Sequence, residues 1–374
     1  MGPILPPEVL DRVIDSLHDD VPMLRVCSLV SRAWMASSRY LLFAVNALIV
    51  DRKSLLPFIE LLDSPHNTLL ARIERLHCTE FQYAQLEALW KALPALLHLR
   101  ELHIAGNILR IDSLPGPDSQ IFPRITNLAM RHVNFPSCRT LKSLLLRFPS
   151  LMVLNFQNTL VDRSGQLDTD EVDPSPLRLE LDLDSFHLED SSSTGWLTWR
   201  GLGLRARDIS LYIPSSASTE HVSEFLAAAG PQLQHLTMRF SSYRLASALR
   251  YPATLLSVRF VNAFWIAMLR STGVVELTAQ PELPSVLRHI QSSVPTLQEL
   301  AFDVHAVPSQ LALSNIASED AALILQGPGF AGLRRLDFRV LGETSSCESL
   351  RSTFAALLPG LHARGIIHVH PGKD

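Results

Sequence analysis

The chain has 374 residues, of which 47% are hydrophobic and only 19% are charged, and its formal net charge is −4. This length can bury two or three compact cores or one long repeat array. The small negative charge gives no general case for binding nucleic acid. The longest apolar runs, near residues 41–50 and 260–269, have about ten residues, whereas a membrane span needs about twenty.

The first predicted element is a helical module over residues 5–43. Pro6 and Pro7 suit the start of a helix, because the first turn does not use their missing N–H groups. Apolar residues then recur at helical spacing at Val9, Leu10, Val13, Ile14 and Leu17. Asp19 or Asp20 can cap a second helix, which has Pro22 in its first turn. The module is too small to bury its own apolar surface, so another surface is expected to cover it.

The order of residues in this module resembles the F-box. The resemblance is carried by Leu5-Pro6-Pro7-Glu8-Val9-Leu10, by Ile14 and Leu17, and by Leu24 with Ser28-Leu29-Val30-Ser31-Arg32 and Trp34. It implies that the module docks onto a Skp-family adaptor of a cullin-RING ubiquitin ligase. The docking residues it implies, some of which face the chain's own core, are Leu5, Pro6, Val9, Leu10, Ile14, Leu24, Leu29, Val30 and Trp34. The residues alone also allow an ordinary helical hairpin that covers the end of a larger domain.

A strand motif repeats after the helical module. Four segments begin at Ile73, Leu99, Ile125 and Leu151, each 26 residues after the one before. Residues 99–107 match the leucine-rich-repeat consensus L-x-x-L-x-L-x-x-N in full. Less regular copies begin at Ala206, Leu233, Leu255, Val274, Leu297 and Leu333. Helices are predicted between the strands at residues 83–93, 138–147, 220–229, 264–270, 285–292, 319–325 and 348–358.

These elements predict an α/β chain with two parts. A short all-helical F-box over residues 1–48 is followed by an irregular leucine-rich-repeat-like solenoid over residues 49–374, with parallel strands and outer helices. An acidic, partly disordered insertion is expected near residues 162–193, although alternating leucines from Leu177 to Leu183 favour a strand within it. The combination resembles the large F-box families of mushroom-forming fungi. A compact α/β domain whose strands imitate repeats by chance is the alternative.

No motif of catalysis or cofactor binding stands out. The G-x-G-x-x-G pattern at Gly327 follows a predicted helix and precedes a strand, which is the reverse of a dinucleotide site. His368 and His370 share one side of a strand without a third metal ligand nearby, and His98 and His103 are expected to be ordinary residues beside a strand. The sequence therefore predicts a protein that is not an enzyme and that needs no cofactor or metal.

The repeats do predict a binding face. In the L-x-x-L-x-L strand the leucines face the core and the residues between them face the concave surface. The candidate substrate-binding residues on that surface are Arg75, His77, Glu101, His103, Arg131, Asn155, His235, Arg239 and Arg259. Their basic bias predicts an acidic or phosphorylated protein substrate. A solvated face without a ligand is the alternative.

The sequence-based hypothesis is a substrate-recognition adaptor of an SCF-type cullin-RING ubiquitin ligase. Its partners would be a Skp-family adaptor, through it a cullin, and an unknown protein substrate, with no nucleic acid and no membrane. Four scattered cysteines, no N-x-S/T site and no visible signal peptide predict a cytoplasmic or nuclear location. The alternative is a protein-binding repeat scaffold in which the F-box-like segment acts as an N-terminal cap.

Overall fold

The structure is a computed structural model. The residues that it describes are 6–64, 72–81, 83–111, 121–161, 179–189, 202–214, 217–240, 243–268, 275–279, 281–307, 316–341 and 346–372. The chain divides into two compact units, Met1–Val172 and Asp173–Asp374.

The first unit begins with helices and continues as a parallel sheet. Its helices are α1 (Pro7–Asp15), α2 (Val21–Val30), α3 (Arg32–Tyr40), the π-helix Leu41–Val45, α4 (Leu55–Asp63), α5 (Tyr83–Ala92), the short 3₁₀ helix Leu93–Ala95, and α6 (Cys138–Leu145). Its strands are β1 (Leu48–Val50), β2 (Arg75–Phe81), β3 (Glu101–Arg110), β4 (Asn127–Phe135), β5 (Val153–Gln157) and β6 (Leu160–Val161). The sheet order is β1-β2-β3-β4-β5, with β6 beside the end of β4, and every pairing is parallel.

The first helices begin where the sequence supplies caps. The Asp20 carboxylate accepts a hydrogen bond from the Met23 amide at 3.0 Å, and the Ser31 hydroxyl accepts one from the Trp34 amide at 3.3 Å. Each of these bonds satisfies an amide that has no partner inside its helix. Ser31, which the resemblance places within the F-box pattern, thus separates α2 from α3.

The register of the first sheet confirms the 26-residue repeat. Leu76, Leu102, Leu128 and Leu154 are aligned across β2 to β5. The carbonyl of Glu74 accepts hydrogen bonds from the amides of Arg100 and Glu101, at 2.8 and 3.0 Å, and the carbonyl of Arg100 accepts two in the same way from Thr126 and Asn127. One carbonyl bound by two amides of the next repeat therefore fixes the start of each strand.

The second unit also combines a parallel sheet with helices. Its helices are α7 (Thr219–Ala228), α8 (Leu283–Ser293), α9 (Ile316–Leu325), α10 (Ser346–Leu357) and α11 (Pro359–Ala363), with 3₁₀ turns at Gly230–Gln232, Tyr243–Ala248 and Pro328–Phe330. Its strands are β7 (Leu179–Glu189), β8 (Leu202–Ile213), β9 (His235–Phe240), β10 (Ser257–Met268), β11 (Val275–Ala279), β12 (Glu299–Val307), β13 (Arg335–Leu341) and β14 (Ile367–Pro371). The parallel order is β7-β8-β9-β10-β12-β13-β14, and β11 is antiparallel to β10.

Two predicted elements near residues 264–279 are wrong. The described part of the helix predicted at 264–270 is instead the end of β10, which pairs with β12 on one side and with β11 on the other. Phe264, Trp265 and Ile266 favour strands, and strand partners on both sides satisfy the backbone hydrogen bonds that a helix would have made. The segment that begins at Val274 was predicted as a parallel repeat strand, but β11 is antiparallel to β10 and so does not continue the repeat.

The acidic stretch near residues 162–193 is described only at 179–189, where it forms β7. The predicted alternation is confirmed there, because Leu181 and Leu183 are buried while Glu180, Asp182 and Asp184 are exposed. Leu177 and the other residues of the stretch lie outside the described part of the chain.

A row of aromatic rings runs through the second unit's core. Phe260, Phe302 and Phe338 occupy one register position on β10, β12 and β13, and their ring centroids are 5.9 and 5.7 Å apart. Phe354 of α10 stacks on Phe338, so the row connects a helix to the sheet.

The predicted α/β architecture of helices followed by parallel, leucine-rich-repeat-like strands is confirmed.

Candidate functional surfaces

The first three helices and the π-helix share a small core of their own. Its buried members are Ile14, Leu24, Cys27 and Leu41, with Leu17, Trp34 and Leu42 packed against them. Ile14 and Leu24, two residues that the F-box resemblance implies for docking, therefore face this core. Trp34 is half-buried against it.

Other apolar residues of the same helices face solvent. On α2 these residues, which we call the α2 stripe, are Met23, Val26, Leu29 and Val30. Leu29 has 83% of its surface exposed, the largest fraction among the exposed large hydrophobic residues of the described chain. Met23, Val26 and Val30 are three and four residues apart, so they lie along one side of the helix. Four apolar side chains in water on one ten-residue helix form a surface that a partner could bury.

The remaining residues implied for docking lie on or before α1. Pro6 is exposed and occupies the N-cap position of α1, Val9 is exposed together with Val13 one turn later, and Leu10 is half-buried. Leu5 lies outside the described residues. The structure thus divides the implied set into residues that form the internal core and residues that face solvent, a division that the sequence did not settle.

Hydrogen bonds join the helical module to the repeats of the first unit. The Arg72 guanidinium donates to the Ala36 carbonyl at 2.9 Å, and the Glu74 amide donates to the Phe43 carbonyl at 3.4 Å. Strand β1, which follows the π-helix, pairs with β2. These contacts therefore attach the module to the first two strands of the sheet.

A second candidate surface is the polar face of the strands, the side that carries the residues between the buried leucines. In the first unit it presents Arg75, His77, Glu101, His103, Arg131 and Asn155, all exposed or half-buried. Arg131 makes no ion pair with any residue of the described ranges, whereas Arg75 lies 3.6 Å from Glu101.

Three of these residues meet at one point on β2 and β3. The Nε2 atoms of His77 and His103 lie 3.4 and 3.0 Å from the Oε1 atom of Glu101. The two imidazole rings are stacked with centroids 4.0 Å apart and planes within 3° of parallel. Burial lowers the pKa of His103, the neighbouring His77 lowers it further, and the Glu101 carboxylate opposes both effects. The lowered pKa favours an uncharged His103 at neutral pH.

In the second unit, carboxylates lie beside several basic side chains of the polar face. Arg205 pairs with Glu180 at 2.8 Å, and Arg335 pairs with Asp337 at 2.8 Å. The three residues of the second unit that were predicted to bind substrate also lie beside carboxylates. These pairs are His235 with Asp208 at 3.9 Å, Arg239 with Glu189 at 3.3 Å, and Arg259 with Asp303 at 2.7 Å. The basic bias that suggested an acidic substrate is therefore largely balanced within the sheet.

The sequence interpretation missed a contact between Ser185 and His187 on β7. The Ser185 hydroxyl lies 2.5 Å from Nε2 of His187. Burial lowers the pKa of His187, while the charges of Asp208 and Glu189 raise it. The only sequence signal is the alternation of polar residues along β7, which places both side chains on one face.

Comparison of the sequence with protein-family models and with curated proteins finds no match. Among the described residues, no helix is both long enough and apolar enough to cross a membrane.

Proposed function

We propose that the chain is the substrate-recognition adaptor of an SCF-type cullin-RING ubiquitin ligase. In this proposal the helical module docks onto a Skp-family adaptor, and the polar face of the repeats binds a protein substrate. The observation that carries the proposal is the exposed α2 stripe, which lies within the segment that resembles the F-box and faces away from the module's own core. The chain would then be a non-catalytic subunit of the ligase.

The energetics of the α2 stripe are compatible with docking. Complete burial of one large apolar side chain contributes roughly 1.5 to 3 kcal/mol. Val9 and Val13 on α1 add two more exposed apolar side chains to the four of the α2 stripe. Burial of all six would contribute at most roughly 9 to 18 kcal/mol, which is comparable with the association cost of about 4 to 15 kcal/mol. The internal core holds the helices in place before binding, which reduces the ordering cost.

We expect the double substitution Val26→Asp/Leu29→Asp to weaken binding to a purified Skp-family adaptor by about 100-fold or more. Two apolar contacts are lost, each worth roughly 1.5 to 3 kcal/mol, and about 1.4 kcal/mol corresponds to a factor of ten in affinity. Isothermal titration calorimetry with the full chain measures the effect.

The matched control is Leu323→Asp on α9, where the leucine is 70% exposed and lies outside the helical module. It should bind the adaptor as the wild type does. Circular dichroism of both variants checks that the helices are retained. Equal affinity of the double variant and the control would contradict the proposal, as would a wild-type chain that binds no Skp-family adaptor.

A second candidate function is a repeat scaffold in which the helical module only caps the sheet. The hydrogen bonds from Arg72 and Glu74 to the module favour it. Deleting residues 1–46, which leaves β1 intact, separates the two functions. If the module is a docking element, we expect the remainder to unfold in a cooperative thermal transition, as a folded chain does, and to lose adaptor binding. The cap function would be favoured by two results together: the full chain binds no adaptor, and the truncated chain aggregates.

A further inference from the structure

The proposal concerns the point where His77, Glu101 and His103 meet on the polar face of the first unit. His77 and His103 are register partners on β2 and β3, and Glu101 precedes His103 by two residues, so all three side chains lie on one face. Between them in sequence, Leu102 is fully buried on the opposite face. Two imidazoles and one carboxylate are thus brought together by the register of the 26-residue repeat.

The distances between the three groups suit a small divalent cation. Their ligand atoms all lie within 4.8 Å of one another. A tetrahedral zinc ion with bonds of about 2.0 to 2.2 Å holds its ligand atoms roughly 3.3 Å apart. Oε1 of Glu101 already lies 3.4 Å from Nε2 of His77 and 3.0 Å from Nε2 of His103. The separations are therefore in the range that one ion spans, but the two imidazoles are stacked in parallel planes, so each ring would have to rotate about its Cβ–Cγ bond until its Nε2 lone pair points at the ion.

The surroundings leave the three side chains partly exposed and place a cation beside the carboxylate. Nε of Arg75 lies 3.6 Å from Oε2 of Glu101, the oxygen that does not face the imidazoles. Such outer contacts orient ligands in metal sites. The register partner of His103 on β4 is Ala129, whose methyl side chain leaves space beside the imidazole. All three ligand residues are half-buried, so solvent can reach them.

We propose that His77, Glu101 and His103 bind a divalent cation of the zinc class, with the fourth position open to water or to a group on a binding partner. Two imidazoles favour zinc over magnesium or calcium, which prefer oxygen ligands. Three protein ligands with one open position are typical of sites where the ion remains reactive or exchangeable. The site does not depend on the proposed adaptor function.

The test titrates Zn²⁺ into the full chain after treatment with a chelator, using calorimetry or a competing chromogenic chelator. We expect one zinc ion per chain. His77→Ala, His103→Ala and the isosteric Glu101→Gln should each weaken binding by about tenfold or more, since each removes one of three ligands. Zn²⁺ should also raise the melting temperature of the wild type and not that of the variants.

The control is His368→Ala/His370→Ala, which removes the other closely spaced histidine pair, on β14. It should bind Zn²⁺ as the wild type does. Circular dichroism of each variant without metal shows whether the fold is kept, and Glu101→Gln is the variant that changes shape least. Zinc binding that survives in all three ligand variants would overturn the proposal. A wild type that binds no zinc, or a loss of binding in the control alone, would overturn it equally.

Discussion

Replacing Arg259 by Met is expected to lower the free energy of unfolding by about 3 to 5 kcal/mol, because it leaves a buried carboxylate without its cation. Asp303 is 2% exposed and accepts three hydrogen bonds of 2.7 to 3.0 Å from the Arg259 guanidinium. The Arg259 side chain is 28% exposed, so the buried carboxylate is the partner that depends on the pair. The midpoint of urea unfolding measures the loss.

Two controls separate the ion pair from other effects of this substitution. The double variant Arg259→Met/Asp303→Leu removes both charges and should lie much closer to the wild type, since apolar residues often replace a buried ion pair at little cost. Arg205→Met breaks the partly exposed pair with Glu180 and should cost about 1 kcal/mol or less. If Arg259→Met costs no more than Arg205→Met, the buried pair does not stabilise the fold in this way.

We expect Phe302→Ala to lower the free energy of unfolding by about 3 to 5 kcal/mol, the usual cost of removing a buried aromatic ring. Phe302 is fully buried between Phe260 and Phe338. The substitution opens a cavity in the middle of the row, and neighbours fixed in parallel strands can close it only in part. Phe302→Leu keeps most of the apolar volume and should cost less.

The control for the cavity is Leu323→Ala on α9, an exposed position where truncation should change stability by no more than about 0.5 kcal/mol. Urea unfolding followed by circular dichroism compares the three variants with the wild type. An equal midpoint for Phe302→Ala and Leu323→Ala would show that the aromatic row does not support the sheet.

The regular part of the fold was predictable because its signal is local and repeated. The 26-residue spacing of Leu76, Leu102, Leu128 and Leu154 predicts the register that the sheet adopts. Residues 264–268 were not predictable in the same way. Their apolar run is too short to separate a helix from a strand by periodicity. The outcome depends on pairing with β11, which begins seven residues after Met268, and with β12, whose paired residues come 40 residues later.

The candidate sites were predictable to different degrees. The helical spacing placed Ile14 and Val9 on helices, but only packing shows that Ile14 is buried and Val9 exposed. His103 was predicted as a candidate substrate-binding residue of the concave face, and was expected to be an ordinary residue rather than a metal ligand. Alignment of the repeats would have set His77 beside it, because the two differ by one repeat length, with Glu101 two residues away. The same alignment could not have identified the partner of Arg259, because Asp303 belongs to a later repeat whose spacing is irregular.

Each parallel strand pairs with strands that are close to it in sequence. This pairing determines how far the effect of a destabilising substitution extends through the sheet. Within each unit, coupling passes between nearest neighbours, as along a one-dimensional array, and weakens over several repeats. A substitution at Phe302 should therefore lower the local stability of β10, β12 and β13 more than that of β8 or β7. Backbone amides of β10, β12 and β13 should then exchange with solvent faster than those of β7 and β8, although the unit as a whole still unfolds in one transition.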